Sequence, residues 1–276
     1  MRSYSPAGAA GREVLVLAPH PDDEVVGCGG TAHLLAQAGA RVAVVVMARG
    51  DGGIDPSGAA VDVSRRREES RACCQALGLE APLFLGLRSD VIRADPVAAG
   101  AALARALGAR RADELLVPSP LERHATHRAC LLGALSSGVG RAGARWWGWG
   151  AWDALPAWDD VWEVDVAAAR VAKTHGIRAH VSQDRPRGLA AASLARDASQ
   201  AAFSRLSGPE PRRAVERLMD LSALARRTEG LTELAALTRA VAGWTAERSA
   251  AWARQLWADR EAAAPAAGKT SGSSPA

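Results

Sequence analysis

Two stretches of the chain are apolar at every position: residues 14–18 (VLVLA) and 42–47 (VAVVVM). A strand with one wet face alternates, so unbroken runs predict parallel strands covered by helices on both faces. Between them, residues 25–38 have helical length and stop at Gly39, so residues 14–47 read as one strand–helix–strand unit. The pattern continues with a helix over 64–77 closed by Gly78, a short strand over 83–85, a helix over 96–107 and a strand over 114–117. Past a polar loop, a further helix is expected over about 126–135, and the Trp-rich stretch 146–162 reads as strand, loop and strand. The alternation predicts an α/β fold with a Rossmann-like, mostly parallel sheet and helices on both faces. From 189 to 260 the sequence turns Ala-, Leu- and Arg-rich, with breaks near Gly208-Pro209-Glu210-Pro211 and at Gly230, and two or three packed helices are expected there. The expected organisation is a domain over 1–185, a helical extension on the same domain over 186–261, and a disordered Ala/Gly/Ser/Pro tail over 262–276.

Composition narrows the classes. Of 276 residues, 48% are hydrophobic and 23% charged, enough to bury a sizeable core. The apolar runs fall far short of the roughly 20 residues of a spanning helix, and residues 1–11 do not read as a signal peptide, so no membrane partner is expected. Net charge is +4 with the arginines scattered, Arg65-Arg66-Arg67 excepted, which does not argue for a nucleic-acid partner. Cys28, Cys73, Cys74 and Cys130 form no CxxC pair, and a reducing cytoplasm is the expected location.

Chemistry concentrates in Pro19-His20-Pro21-Asp22-Asp23-Glu24, where the first strand hands over to the first helix. In a parallel sheet that is the ligand-binding edge. His20 and Asp23 offer a metal-binding pair and Asp22 a spare carboxylate for proton transfer; the same acids would also serve as a helix cap. His124-Ala125-Thr126-His127 follows a later strand and lies on the same edge, so one of its histidines could complete a three-ligand zinc site. Gly27, Gly29 and Gly30 lack the GxGxxG spacing of a dinucleotide loop and read as close helix packing against the first strand, with Cys28 a small packing residue. His33 reads as structural. The tryptophans of 146–162 divide between core and a surface suited to the flat face of a sugar.

The motif order PHPDDEVVGCGGTAHLL, MARGDGG, RRREESRACCQALGL, VPSPLERHATHRA and KTHGIRAHVSQ, over about residues 13–183, resembles the PIG-L/LmbE-like zinc-dependent N-deacetylases. The resemblance implies one Zn2+ per chain, replaceable by other divalent metals, held by His20, Asp23 and His127. It implies Asp22 as general base, His124 as an aid to the tetrahedral intermediate or leaving group, and Arg66, paired in sequence with Glu69, as a substrate-binding residue. The segment ending His180, Ser182 and Gln183 would lie near the site. The implied activity is removal of an acetyl group from an amino sugar, a small-molecule N-acetylglucosamine conjugate. The rival readings are an amidase on a mycothiol-type conjugate or natural-product intermediate, and a non-catalytic sugar-binding module on the same fold. Ala48 and Pro19 depart from the family pattern without touching a proposed ligand. Thr126 stands where the family commonly has Asp, which leaves His124 without its usual carboxylate unless Asp113, Glu122 or Asp165 supplies one, and predicts a less readily protonated imidazole.

Overall fold

The computed structural model describes residues 2–52, 58–152, 154–156, 158–202, 204 and 214–263. Eight strands form one sheet: β1 (Arg2–Ser3), β2 (Glu13–Ala18), β3 (Arg41–Ala48), β4 (Leu83–Leu87), β5 (Ala112–Pro118), β6 (Gly140–Trp149), β7 (Val161–Asp165) and β8 (Val215–Asp220). Their order is β1-β7-β8-β6-β5-β2-β3-β4. All neighbours pair in parallel except β8, which runs antiparallel to both β6 and β7.

The helices of the first half are α1 (Asp23–Gln37), α2 (Val63–Leu77), α3 (Ser89–Ala94), α4 (Pro96–Leu107) and α5 (Ala125–Ser137). Those of the second are α6 (Arg170–Ala179), α7 (Val181–Arg187), α8 (Leu189–Ala202), α9 (Ser222–Thr228) and α10 (Leu234–Ala263). The unbroken apolar runs now have their reason. Val14, Val16, Val42 and Val44 face a core shared with Leu35, Cys73, Leu77 and Ile177. Leu15, Leu17, Val45 and Met47 face the opposite core, with Leu103, Leu131, Leu237 and Trp244. Local chemistry sets several helix ends. Asp62 accepts from Ser64 N at 3.0 Å to start α2, and Asp95 accepts from Ala98 N at 2.9 Å to start α4 with Pro96 in its first turn. Gly78, at φ 70°, closes α2.

Three findings depart from the sequence reading. The region read as helical from 189 onward also supplies β8, whose buried Glu216 and Arg217 disguise it as surface helix. Their partners come from distant segments: Lys173 reaches Glu216 at 2.7 Å and Glu163 reaches Arg217 at 3.1 Å. The glycines of α1 do pack closely, but against other elements than β2. A Cβ on Gly27 would meet the Trp149 ring at 2.5 Å, and one on Gly30 would meet Val166 at 2.8 Å. Finally, α10 extends through Ala263; the rest of the expected tail, 264–276, and the expected break at 208–211 lie outside the described residues.

Candidate active site

The strand order reverses at β2: the chain moves to one side through β3 and β4, then returns to the other side at β5. A crevice opens at such a switch point beyond the carboxyl ends of the strands. The β2–α1 connection brings His20 and Asp22 there and the start of α1 brings Asp23, while the β5–α5 connection carries Glu122 and His124 and the first turn of α5 carries His127. His20, Asp22, Asp23, His124 and His127, together with Gly50, Gly52, Arg66, Ser89, Arg93, Thr126 and Trp152, line a cavity of about 310 Å³, at the small end of the range for small-molecule sites.

Four donor groups converge in it. Asp23 Oδ2 lies 3.1 Å from His20 Nδ1 and 3.1 Å from His127 Nε2, and accepts the backbone N–H of His20 at 2.9 Å. The ligand atoms of His20, His124 and His127 all lie within 4.8 Å of one another. His127 is fully buried, and its Nε2 meets no hydrogen-bond partner of acceptable geometry despite the nearby Asp23 oxygen. Its other nitrogen is fixed by Glu122 Oε2 at 2.9 Å, and Glu122 is itself anchored by the Ala151 N–H at 2.7 Å. A carboxylate that orients one ring nitrogen and leaves the other free toward a carboxylate and a second imidazole is the surrounding a divalent metal requires. Burial tends to lower the pKa of His127, but the Asp23 and Glu122 carboxylates outweigh it and raise it to about 10. Asp23 moves the other way: burial opposes its ionisation, yet His127 and His20 hold it well below the usual carboxylate range.

Asp22 is the only non-glycine residue among those described with a positive φ, 124°, a sparsely populated conformation that costs on the order of 1–3 kcal/mol. Several contacts hold it there. Its N–H donates to Glu24 Oε2 at 2.9 Å, its carbonyl accepts the N–H groups of Val25 and Val26 at 3.2 and 3.1 Å, and Arg66 Nη2 reaches its Oδ2 at 3.2 Å. Glu24 is in turn fixed by Ser70 Oγ at 2.7 Å and His180 Nε2 at 3.1 Å. Burial, opposed by Arg66 and reinforced by Asp23, raises the Asp22 pKa to about 6.

The sequence-derived candidates therefore all line this cavity: His20, Asp22, Asp23, Arg66, His124 and His127. Arg66 is 4% exposed, and its terminal nitrogens are engaged by the Gly50 carbonyl, the Pro21 carbonyl and Asp22. His124 stands at the exposed rim, where desolvation on the cavity wall, with the neighbouring His127 and His20, pushes its pKa down to about 4. None of the three acids considered for it pairs with it in the described contacts. Glu122 serves His127, Asp113 accepts from Glu13 N at 2.9 Å and Asp165 from Ala167 N at 3.0 Å. The group beside Thr126 is a cation: Arg93 Nη1 donates to Thr126 Oγ1 at 3.1 Å.

His180 supports Glu24 from behind the cavity wall, and Ser182 holds Glu69 at 2.5 and 2.9 Å. His33 binds the Leu77 carbonyl region at 2.9 Å, His175 is exposed, and the Cys28 thiol is buried with its pKa raised by desolvation. Trp146, Trp147, Trp149 and Trp158 are buried, whereas Trp152 is 43% exposed at the cavity. Sequence reasoning missed Arg93 and Ser89, because the short helix α3 leaves no periodic signal. It also missed the roles of Glu24 and Glu122, whose partners are known only once the chain is folded.

Residues 15–136 match the PIG-L family, described as GlcNAc-PI de-N-acetylase. A 72-residue stretch is 38% identical to an uncharacterized deacetylase, YaiS, of Escherichia coli K12; it takes in 26% of this chain and 36% of that protein's length. Among solved structures, the N,N'-diacetylchitobiose deacetylase of Pyrococcus horikoshii superposes with a TM-score of 0.59 at 20% identity, covering 77% of this chain and 85% of that one. GalB, the 4-carboxy-2-hydroxymuconate hydratase of Pseudomonas putida KT2440, gives 0.57 at 16% identity, over 76% and 96%. These two likenesses are of fold, and they span a deacetylase and a hydratase.

Proposed function

We propose, from the premise that residues 15–136 make this chain a member of the PIG-L family, that the protein is a metal-dependent hydrolase removing an acetyl group from the nitrogen of an amino-sugar conjugate. One observation carries the reading: the side chains of His20, Asp23 and His127 converge beside the carboxylate of Asp22 in a single cavity. His20, Asp23 and His127 would hold the metal, zinc foremost, and the free, Glu122-oriented Nε2 of His127 fits that role. A divalent metal there would supply Lewis-acid polarisation of the amide carbonyl and acidify water.

The chain's own groups do the rest. Asp22, with a pKa near 6, is ionised at neutral pH and able to take a proton from water as it attacks the carbonyl, then return it to the departing nitrogen. The left-handed backbone aims that carboxylate, and Arg66 holds it in place. His124, neutral across the working range, is a hydrogen-bond donor for the carbonyl oxygen as it gains charge. Trp152 offers an apolar plane for the sugar. The four cysteines are free thiols, and with no helix among the described residues long and apolar enough to cross a membrane, a reducing cytoplasm suits the chain.

The test is acetate release by the zinc-loaded protein across a panel of N-acetylglucosamine conjugates, together with metal content. Stoichiometric zinc and acetate release are expected, and His127→Ala should lose the zinc. Sugar binding by the zinc-loaded protein without acetate would instead support a non-catalytic module. Full zinc in His127→Ala with loss in His124→Ala would reverse the ligand assignment.

A further inference from the structure

Two arginines, Arg66 and Arg93, line the cavity, and two more, Arg49 and Arg88, directly precede the lining residues Gly50 and Ser89 in the chain; three of the four are already neutralised. Arg66 faces Asp22 at 3.2 Å, Arg49 faces Asp51 at 2.7 Å, and Arg88 faces Asp90 at 2.7 Å. Arg93 is the exception. It lines the cavity, is exposed to it, and among the described residues its guanidinium donates only to the uncharged Thr126 hydroxyl at 3.1 Å. A guanidinium presents five N–H donors and has no acceptor of its own, so most of its capacity is open toward the cavity. The two carboxylates that line the cavity are committed elsewhere, Asp22 to Arg66 and Asp23 to His20 and His127. The exposed Trp152 adds an apolar surface to the same space.

We propose that Arg93 determines specificity here, and that the substrate carries an anionic group, carboxylate or phosphate, on the part of the molecule lying away from the scissile amide. The inference rests on the deacetylase reading only for where the amide sits. The anion would form one or two charge-assisted hydrogen bonds with Arg93 Nη atoms, the bidentate arrangement arginine favours.

The test measures binding of deacetylated products by calorimetry, which needs no turnover. The ligands are methyl glucosaminide, carboxymethyl glucosaminide and glucosamine 1-phosphate; all share the same amine, and the last two add a carboxylate or a phosphate. The wild type should bind the anionic forms about 10- to 100-fold more tightly than the neutral one, and the better of the two identifies the group. In Arg93→Gln the preference should fall below about 3-fold. In Arg88→Gln, whose arginine is paired with Asp90, it should persist. Thr126→Asp gives Arg93 an internal carboxylate and should weaken the preference; because Thr126 is buried, Arg93→Gln is the deciding variant if that protein does not fold. Equal affinities in the wild type, or a preference retained in Arg93→Gln, would overturn the proposal. Acetate release on the same panel is scored separately: a preference that depends on Arg93 without acetate release refutes the deacetylase reading and upholds this one.

Discussion

Two places in this molecule bury charge, and they treat it in opposite ways. Between α6, α8 and β8, Lys173 Nζ donates to Asp197 at 2.5 Å and to Glu216 at 2.7 Å. Glu216 also accepts the N–H groups of Gly30 and Thr31 and the Thr31 hydroxyl, at 2.9, 2.8 and 2.6 Å. Every charged atom has its partner within the chain. At the cavity the cost of desolvation is just as real, but the set is left incomplete. His127 keeps a nitrogen without a hydrogen bond and Asp22 keeps a carboxylate whose pKa stands near 6, while the exposed Arg93 at the same cavity keeps a charge faced only by a hydroxyl. Buried charge that is fully hydrogen-bonded fixes structure, and buried charge with spare valence awaits something from outside.

The largest test of that contrast is Asp22→Asn. Turnover should fall by about 10²- to 10⁴-fold, since the amide cannot take the proton. Its melting temperature should hold or rise, because a desolvated acid is removed and asparagine tolerates positive φ. Initial rates and thermal melts on the same preparation check both; wild-type turnover would remove the base role. Lys173→Met is the converse experiment. It strands Asp197 and Glu216 in the interior and should cost about 3–5 kcal/mol of stability, read by denaturant unfolding, while the molecules that remain folded keep their specific activity. Activity lost at unchanged stability would erase the distinction between the two regions. The smallest effect is expected from Glu122→Gln, which keeps the shape but weakens the hold on His127. Zinc affinity, measured by chelator competition, should drop about 10- to 100-fold, the usual consequence of losing such a support.

How much of this is legible in the chain follows the same division. β2 and β3 are written plainly in residues 14–18 and 42–47, because strands shielded on both faces are apolar throughout, and these valine-rich runs are too short for buried helices. The cluster at residues 20–24 and the histidines at 124 and 127 are legible because they fall where parallel strands end. β8 is not. A Val-Glu-Arg-Leu-Met-Asp segment looks amphipathic until Lys173 and Glu163 are brought to its charges. The same limit hides Glu122 and Glu24. Each is an ordinary acid in sequence, and only the fold shows that one orients an imidazole while the other pins the N–H of a strained aspartate. Thr126 could be seen as a departure, but not that an arginine from α3 stands beside it.

The antiparallel strand has a consequence for how the protein is made. β6 and β7 emerge from the ribosome well before β8, yet the sheet has β8 between them. Until residues 215–220 arrive, the β6 edge has no neighbour on that side, the kind of open edge that recruits foreign strands in a nascent chain. The strand that closes the gap also carries Glu216, which clasps Gly30 and Thr31 of α1, the helix that begins at Asp23. A ribosome stalled before residue 215 would thus hold the strands that frame the cavity with the clasp on α1 still missing, and would present an edge for chaperones to cover.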